Sequence, residues 1–326
     1  MAVVSVGNRN MFALVEEDLK EMTQNLKRLV GAKHPVLYAA AEYLFDAGGK
    51  RIRPAIVLLA ARATQAGNPT ERHRRLAEIT EMIHTAALVH DDVIDTAEVR
   101  RGIATVNGHF GNRVAVLAGD FLFAQSSLYL ARLGSLEVVE LLSIVIADFA
   151  EGEILQNLSQ FDARLTFDTY IDKSFYKTAS LMAGSSRAAA VLSGSPVEVC
   201  NGLYDYGKHL GIAFQVVDDL LDFTGSTESL GKPAGSDLQQ GNLTAPVLYA
   251  LEEIPYLAEF IDRQFSTEGD LEKALQLVHT THGIERSREL ARTHARQAVQ
   301  SLDVLPSSPA RQALINLADY VLERVY

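Results

Sequence analysis

The stretch from His84 to Gly102 reads HTAALVHDDVIDTAEVRRG and combines apolar residues, three aspartates and two adjacent arginines. Its apolar residues recur at helical spacing, so it predicts a helix with an acidic end. Asp91 and Asp95 are four residues apart and project from one helix face, with Asp92 about a quarter-turn aside. We therefore expect the three carboxylates to converge on one spot.

This acid cluster predicts a cation site beside a phosphate site. Three carboxylates repel one another, and apolar neighbours make them costly to bury without cations. Mg2+ is held by one or two carboxylates plus substrate phosphates, and Arg100 and Arg101 offer the forked donors that bind phosphate oxygens. The stretch thus indicates a Mg2+ and diphosphate site. A solvated acidic helix face followed by a basic turn is the alternative.

The composition is that of an ordinary soluble globular protein, with 48% hydrophobic and 22% charged residues among 326. The net charge of −11 argues against a nucleic-acid partner, whose phosphates it would repel. The single cysteine, Cys200, excludes an internal disulfide and is interpreted as a packing residue. No targeting segment and no run of about 18 uncharged apolar residues is visible, so we expect a cytoplasmic protein without a membrane span.

Helical spacing continues almost throughout the chain. The predicted helices cover roughly residues 12–30, 35–47, 54–66, 71–96, 112–132, 135–159, 167–185 and 198–224, with four more between 243 and 325. Residues 225–242 form the only long turn-rich stretch, and no alternating strand, linker or short repeat is visible. We predict one all-α domain over residues 1–326, with residues 1–11 as a flexible tail.

A second acid cluster repeats the spacing of the first. The segment FQVVDDLLD, residues 214–222, places Asp218, Asp219 and Asp222 in an apolar helix interior. Two carboxylate helices could face each other and hold metal ions bridged by a diphosphate. The alternative is two acidic faces pointing separately to solvent, but the apolar neighbours leave only a narrow polar stripe.

A glycine-rich basic segment, GGKRIRP at residues 48–54, predicts a second phosphate site. The glycines permit close backbone approach, while Lys50, Arg51 and Arg53 supply positive charge. The segment lacks the other residues of a nucleotide-binding P-loop, and a basic helix-terminal turn is its alternative interpretation. His84 lies two turns before Asp91 on the same helix face, where it could bond a phosphate. Further candidates are Lys177 with Thr178 and Gly231 with Lys232.

With GGKRIRP, HDDVIDTAEVRRG, KTA, FQVVDDLLD and LGKPAGSDLQQGN in this order, the chain resembles the trans-isoprenyl (polyprenyl) diphosphate synthases over about residues 35–250. The stretch HPVLYAAAEYLFDAGGKRIRPAIVLL is most similar to the cyanobacterial and plastid solanesyl diphosphate synthases. The resemblance implies an all-α helical bundle of the isoprenoid synthase type around a central active-site cavity. It also implies a homodimer that extends an allylic diphosphate with isopentenyl diphosphate units.

Site roles also follow from the resemblance. It assigns three Mg2+ ions to Asp91, Asp92, Asp95, Asp218, Asp219 and Asp222. It assigns the allylic diphosphate to Arg100, Lys177, Thr178, Gln215 and Lys232, and isopentenyl diphosphate to Lys50, Arg53, His84 and Arg101. The aspartates at 91, 92, 95, 218 and 219, with Arg100 and Lys177, would be catalytic. One departure is Gly241-Asn242, where the family often has Gly-Lys, and it puts that single contact in doubt.

The apolar product of such an enzyme needs a tunnel. Ala87 and Ala86 lie four and five residues before Asp91, with Ile83 further back, and neither alanine blocks a growing chain. Bulky aromatic residues there would form a floor. The alternative for the two alanines is close helix packing, a common use of small residues.

The resemblance thus implies a Mg2+-dependent prenyltransferase that makes a long-chain all-trans polyprenyl diphosphate, solanesyl (C45), for a quinone side chain. A shorter-chain enzyme such as geranylgeranyl diphosphate synthase is the first alternative. A terpene cyclase and a noncatalytic helical partner subunit are more remote, because both acid clusters and GGKRIRP are intact. A peripheral membrane contact at product release stays open, although no strongly basic amphipathic helix is visible to drive it.

Overall fold

The computed structural model of the protein describes residues 11–31, 34–46, 50–64, 68–100, 102–225 and 235–324, and these residues are predominantly helical. The helices of the first half are α1 (Glu16–Val30), α2 (Pro35–Asp46), α3 (Ile52–Ala63), α4 (Glu71–Ile94), α5 (Val106–Phe110), α6 (Asn112–Arg132) and α7 (Leu136–Leu158). A two-stranded antiparallel ribbon, β1 (Val99–Arg100) and β2 (Ile103–Ala104), lies between α4 and α5.

The second half contains a π-helical turn and two short 3-10 turns besides its α-helices. The helices are α8 (Phe167–Ser174), α9 (Ser180–Leu192), α10 (Val197–Thr224), α11 (Ser236–Gln239), α12 (Ala245–Glu253), α13 (Ala258–Asp262), α14 (Asp270–Thr280), α15 (Gly283–Ser301) and α16 (Pro309–Glu323). The π-turn spans Phe175–Ala179, and the 3-10 turns span Pro255–Leu257 and Leu302–Val304. The all-α prediction is confirmed.

The structure differs from the predicted elements at several places. The helix predicted over 167–185 is divided into α8 and α9 by the π-turn. Five α-helices, rather than four, lie between 243 and 325 in the part that the structure describes, because α13 is only five residues long. The β1–β2 ribbon escaped prediction because two residues per strand are too few to show an alternating pattern.

Two compact units make up the chain, and each is assembled from three segments. The first comprises Met1–Ile146, Leu181–Tyr204 and Leu302–Asn316, and the second comprises Ala147–Ser180, Asp205–Ser301 and Leu317–Tyr326. Helices α7, α10 and α16 each contribute residues to both units. The first acid cluster belongs to the first unit and the second acid cluster to the second. The single-domain assignment stays a prediction, and each unit is described by itself.

Helix α4 is the central element of the first unit and carries the first acid cluster at its end. It packs against α3 and α6, and Leu76, Ile79, Met82 and Ile83 are fully buried on it. Full burial of such a side chain stabilises the fold by roughly 1.5–3 kcal/mol. Thr70 caps the helix start, with its side chain and that of His73 satisfying each other's backbone N–H groups.

The second half of α10 is the corresponding element of the second unit. Ala213, Val216, Val217 and Leu220 are fully buried on it. A Cβ added at Gly211 would lie 2.4 Å from the Cα of Ala179, so glycine is required for α10 to approach the π-turn. This close approach places the residues that follow Gly211 beside the π-turn.

Helix α6 is the one described helix that is long and apolar enough, by length and composition, to cross a membrane. Only 33% of its most apolar window is buried in the protein. Large apolar side chains on its exposed side include Val116, Leu117 and Leu128. This exposed apolar face of α6 is therefore a surface that another apolar partner can cover.

A pair of partly buried histidines should make the folded protein less stable in acid. The Nδ1 atoms of His209 on α10 and His294 on α15 are 3.0 Å apart. Burial, with the nearby His209 and Lys208, lowers the pKa of His294 to about 4, and burial also lowers the pKa of His209 despite nearby Asp205. In the unfolded chain these histidines would take up protons near pH 6.5, whereas in the folded protein they resist protonation. The free energy of unfolding should therefore decrease as the pH falls from 6.5 to about 4.

The measurement is thermal unfolding of the wild type and His294→Gln between pH 7.5 and 4.5. The wild type should lose about 2 kcal/mol more stability over this range than the variant, which has no imidazole to protonate at this position. Equal losses in the two proteins would contradict the assignment.

Candidate active site

The first acid cluster occupies the C-terminal end of α4. Asp91 and Asp92 lie in its last turn, and Asp95 follows the last helical residue, where its backbone N–H donates to the carbonyl of Asp91. Asp92 is 4% exposed, and Arg100 donates through Nε to its Oδ1 at 2.7 Å. Burial raises the pKa of Asp92, and Arg100 offsets part of this rise. Asp91 is half-buried and Asp95 is exposed, so Asp92 is the only buried acid of the three.

The β1–β2 ribbon places Arg100 beside Asp92. Thr105 donates through its hydroxyl to the carbonyl of Ala97 at 2.7 Å, and Asn107 donates through Nδ2 to the same carbonyl at 2.8 Å. Asn107 Nδ2 also lies 3.3 Å from the carbonyl oxygen of Asp92, which links this segment to the last turn of α4. Arg100 is thus close to the acid cluster as the sequence predicted, and its role toward a diphosphate stays a prediction. Arg101 lies outside the described residues.

The basic segment contributes one structural and one candidate binding arginine. Arg51 precedes α3 in a left-handed conformation (φ 52°) and forms a buried ion pair with Glu81. Arg53 Nη1 lies 3.1 Å from His84 Nε2, which brings together two residues that the resemblance assigns to isopentenyl diphosphate. Lys50 is exposed, and the glycines of this segment, 48 and 49, lie outside the described residues.

The small residues of α4 occupy two different environments. Ala87 is half-buried and shares the helix face of His84 and Asp91, whereas Ala86 and Ile83 are fully buried within the first unit. Of these three predicted chain-length residues, Ala87 is thus the one on the acid-bearing face. The roles of all three stay predictions.

The second acid cluster is held by donors from the chain itself. Asp218 is half-buried and pairs with Arg324 at 2.8 Å. Asp219 is 2% exposed and accepts from Tyr170 Oη at 2.6 Å on one oxygen and from Gln215 Nε2 at 2.8 Å on the other. Burial and the neighbouring Asp237 raise the pKa of Asp219 to about 7, although these two bonds and Lys173 lower it.

Asp222 is the most enclosed acid of the second cluster. It is 1% exposed, and its two oxygens accept from the hydroxyl of Ser236 at 2.9 Å and from the backbone N–H of Asp237 at 3.1 Å. It therefore ties the start of α11 to the end of α10. Its predicted role as a metal ligand is not tested by these contacts. Lys232, assigned to the allylic diphosphate by resemblance, lies outside the described residues.

Lys177 and Thr178 lie in the π-turn. Lys177 donates to Glu153 at 2.8 Å and to Gln156 at 3.0 Å on α7, and Thr178 donates to Gln215 Oε1 at 2.7 Å. A Cβ added at Gly152 would lie 2.9 Å from the Cβ of Tyr176 and 3.0 Å from the Cγ of Lys177. Glycine at this position therefore allows the π-turn to pack closely against α7. Such π-turns inside helices are frequent at functional sites.

Sequence reasoning missed several residues of this site. They are Tyr170, Lys173, Glu153, Gln156 and Arg324, which contact the predicted residues or lie within electrostatic range of them. Tyr170 precedes Lys177 by seven residues, two helical turns, and this spacing could have indicated it. Lys173, only 7% exposed, is the buried lysine of the same helix. Nothing in the local sequence singles out Glu153 or Arg324.

The donor set fits Mg2+, which prefers hard oxygen ligands. Within the described ranges, no group of three or more His, Cys, Asp or Glu side chains is already gathered for a metal ion. Asp92, Asp219 and Asp222 instead accept bonds from the chain, while Asp91 and Asp218 remain partly accessible. The six aspartates are those that would hold Mg2+, and their roles stay predictions.

A sequence model of the polyprenyl synthetase family matches residues 34–278. The chain belongs to this family. It is 62% identical to a prenyl transferase of Synechocystis sp. over 98% of this chain and 100% of the relative. It is 54% identical to solanesyl-diphosphate synthase 2, chloroplastic, of Oryza sativa subsp. japonica, over 97% of this chain and 79% of the relative.

Solved structures agree with the family assignment. The polyprenyl synthase of Caulobacter crescentus, in a crystal structure with calcium and isoprenyl diphosphate, superimposes with a TM-score of 0.90 at 37% identity, covering 97% of each chain. The resemblance, the isoprenoid synthase fold and the assignment as a prenyltransferase enzyme are thereby confirmed. The family depends on Mg2+ and uses allylic and isopentenyl diphosphates.

Asp91 and Asp218 are each the first aspartate of an acid cluster, and we expect their replacement to abolish turnover without unfolding the protein. Asp91→Ala or Asp218→Ala removes a partly accessible carboxylate, so each variant should lose nearly all Mg2+-dependent turnover while its helical circular dichroism is unchanged. Asp205→Ala, an exposed aspartate on α10, is the matched control and should stay active. Full activity of either site variant would show that its carboxylate has no metal role.

Proposed function

We propose that the enzyme extends an allylic diphosphate to solanesyl (C45) diphosphate, for a quinone side chain. The observation that carries this proposal is the match, over 97% of this chain and 79% of the relatives, to plant enzymes named solanesyl diphosphate synthase. Ala87 on the acid-bearing face of α4 supports it, because a methyl side chain leaves room beside the acids for a long product. A shorter product is the alternative, and a geranylgeranyl pyrophosphate synthetase from Pyrococcus horikoshii is also similar, with a TM-score of 0.88 at 31% identity.

Two phosphate groups would bind to separate sets of residues. Isopentenyl diphosphate is assigned to Arg53 and His84, which are in contact, together with Lys50 and the undescribed Arg101. The allylic diphosphate is assigned to Lys177, Thr178 and Gln215, with Arg100 and the undescribed Lys232. The contact between Thr178 and Gln215 supports treating these residues as one subsite.

The reaction breaks the allylic carbon–oxygen bond, and the departing diphosphate keeps the electron pair. Mg2+, three ions in this proposal, supplies stabilisation of that developing charge when bound by the six aspartates. Lys177 adds a positive charge, but it must exchange its bond to Glu153 for a phosphate oxygen. Arg53 and His84 would hold the diphosphate of the isopentenyl substrate, so that the double bond of this substrate attacks the allylic carbon. The product loses a proton, which the released diphosphate accepts.

The product assay distinguishes the candidate functions. Purified protein is incubated with labelled isopentenyl diphosphate, an allylic primer and Mg2+, and the extracted chains are separated by chromatography. A dominant C45 product supports the proposal, and omission of Mg2+ should abolish it. A dominant C20 product would favour the geranylgeranyl alternative, and no elongation with any primer would favour a noncatalytic partner subunit.

A bulky side chain in place of Ala87 should make the enzyme release shorter products. Ala87→Phe adds a ring to the half-buried, acid-bearing face of α4, so it should shift the profile by several prenyl units. Ala86→Phe should also shorten the product, but at a fully buried position overpacking should cost about 1–3 kcal/mol of stability. Ala87→Ser, which keeps a small side chain, is the control. An unchanged profile in Ala87→Phe would reject the tunnel assignment.

A second copy of the chain is the proposed partner for the exposed apolar face of α6. The sequence resemblance to dimeric enzymes and the 50% exposure of Leu117 support this choice. Leu117→Glu should convert the dimer to a monomer in light scattering, whereas Val304→Glu, 44% exposed on a 3-10 turn, should not. A monomeric wild type that sediments with lipid vesicles would favour peripheral membrane contact instead. The cytoplasmic location also stays a proposal.

A further inference from the structure

Tyr170 is a buried tyrosine whose hydroxyl contacts the second acid cluster. It lies on α8, is 1% exposed, and donates to Asp219 Oδ2 at 2.6 Å. Its ring packs against Phe167, with ring centroids 5.6 Å apart, so the side chain is enclosed. Within a low-dielectric interior, a short hydrogen bond to a carboxylate strongly restricts the orientation of both groups.

The other oxygen of Asp219 continues a chain of hydrogen bonds to the π-turn. Gln215 Nε2 donates to Asp219 Oδ1 at 2.8 Å, so the amide oxygen of Gln215 faces the opposite way. That oxygen accepts from the hydroxyl of Thr178 at 2.7 Å. An amide has donors at one end and an acceptor at the other, so the orientation of Asp219 determines which end Thr178 meets.

We propose that Tyr170 is a positioning residue for the allylic diphosphate: by fixing Asp219 it orients the amide of Gln215 and, through it, the hydroxyl of Thr178. The bonds Tyr170–Asp219–Gln215–Thr178 connect α8, α10 and the π-turn within the second unit. Tyr170 itself does not touch the substrate. The inference rests on the proposed placement of this diphosphate at Lys177 and Thr178.

Loss of one hydroxyl tests the proposal. Tyr170→Phe keeps the ring but releases Asp219, so inorganic diphosphate with Mg2+ should bind about tenfold more weakly in calorimetry. The KM for the allylic substrate should rise similarly, while the KM for isopentenyl diphosphate changes little. The melting temperature should fall, because the buried Asp219 loses one of its two donors, so binding is measured well below it. Tyr206→Phe, at an equally buried tyrosine of α10 outside this chain of bonds, is the control and should bind as the wild type does.

A double-mutant cycle separates positioning from a general loss of packing. If Tyr170 acts through Gln215, the double variant Tyr170→Phe/Gln215→Leu should bind diphosphate no more weakly than Gln215→Leu alone. Should Tyr170→Phe fail to fold, Gln215→Glu carries the test, since it replaces the donor facing Asp219 with an acceptor and should produce the same tenfold loss.

The outcomes also separate this inference from the diphosphate placement on which it rests. Wild-type affinity in Tyr170→Phe, additive losses in the cycle, or wild-type affinity in Gln215→Glu would each overturn the positioning role. Absence of Mg2+-dependent diphosphate binding by the wild type would overturn the placement at Lys177 and Thr178, and the positioning role with it.

Discussion

Both acid clusters depend on one kind of interaction, in which hydrogen-bond donors of the same chain bind the buried carboxylates. Asp92, Asp219 and Asp222 lie among apolar helix residues, where an uncompensated charge would cost several kcal/mol. Their bonds to Arg100, to Tyr170 and Gln215, and to Ser236 supply part of that compensation and tie the β1–β2 ribbon, α8 and α11 to the acid-bearing helices. The same acids therefore organise the fold around the positions at which catalysis by this prenyltransferase is proposed.

Two further charged residues of the site are paired with groups of the same chain. Lys177 is held by Glu153 and Gln156, and Asp218 is held by Arg324. If a diphosphate and its cations bind at these residues as proposed, their binding would exchange these ion pairs for new ones. We expect such an exchange to be favourable when metal and diphosphate bind together, because either one alone would leave a charge without its partner.

Local periodicity made most helices predictable, together with the placement of both acidic motifs within or directly after a helix, because the spacing of apolar residues sets which helix face is buried. The sequence did not predict the contact between Arg53 and His84. The resemblance only assigned both residues to the same substrate, isopentenyl diphosphate. The ion pair of Arg51 with Glu81 joins residues 30 positions apart and leaves no local pattern. The π-turn depends on the close approach permitted by Gly152 and Gly211, which is a tertiary constraint that single-sequence periodicity does not contain.

Metal binding at the second acid cluster is the most direct test of the central claim. Mn2+ replaces Mg2+ as a spectroscopic probe, and its binding is measured with and without inorganic diphosphate in the wild type and in Asp218→Ala. We expect tight Mn2+ binding only in the presence of diphosphate, and markedly weaker binding in the variant. Equal Mn2+ binding without diphosphate, or undiminished binding in Asp218→Ala, would contradict it.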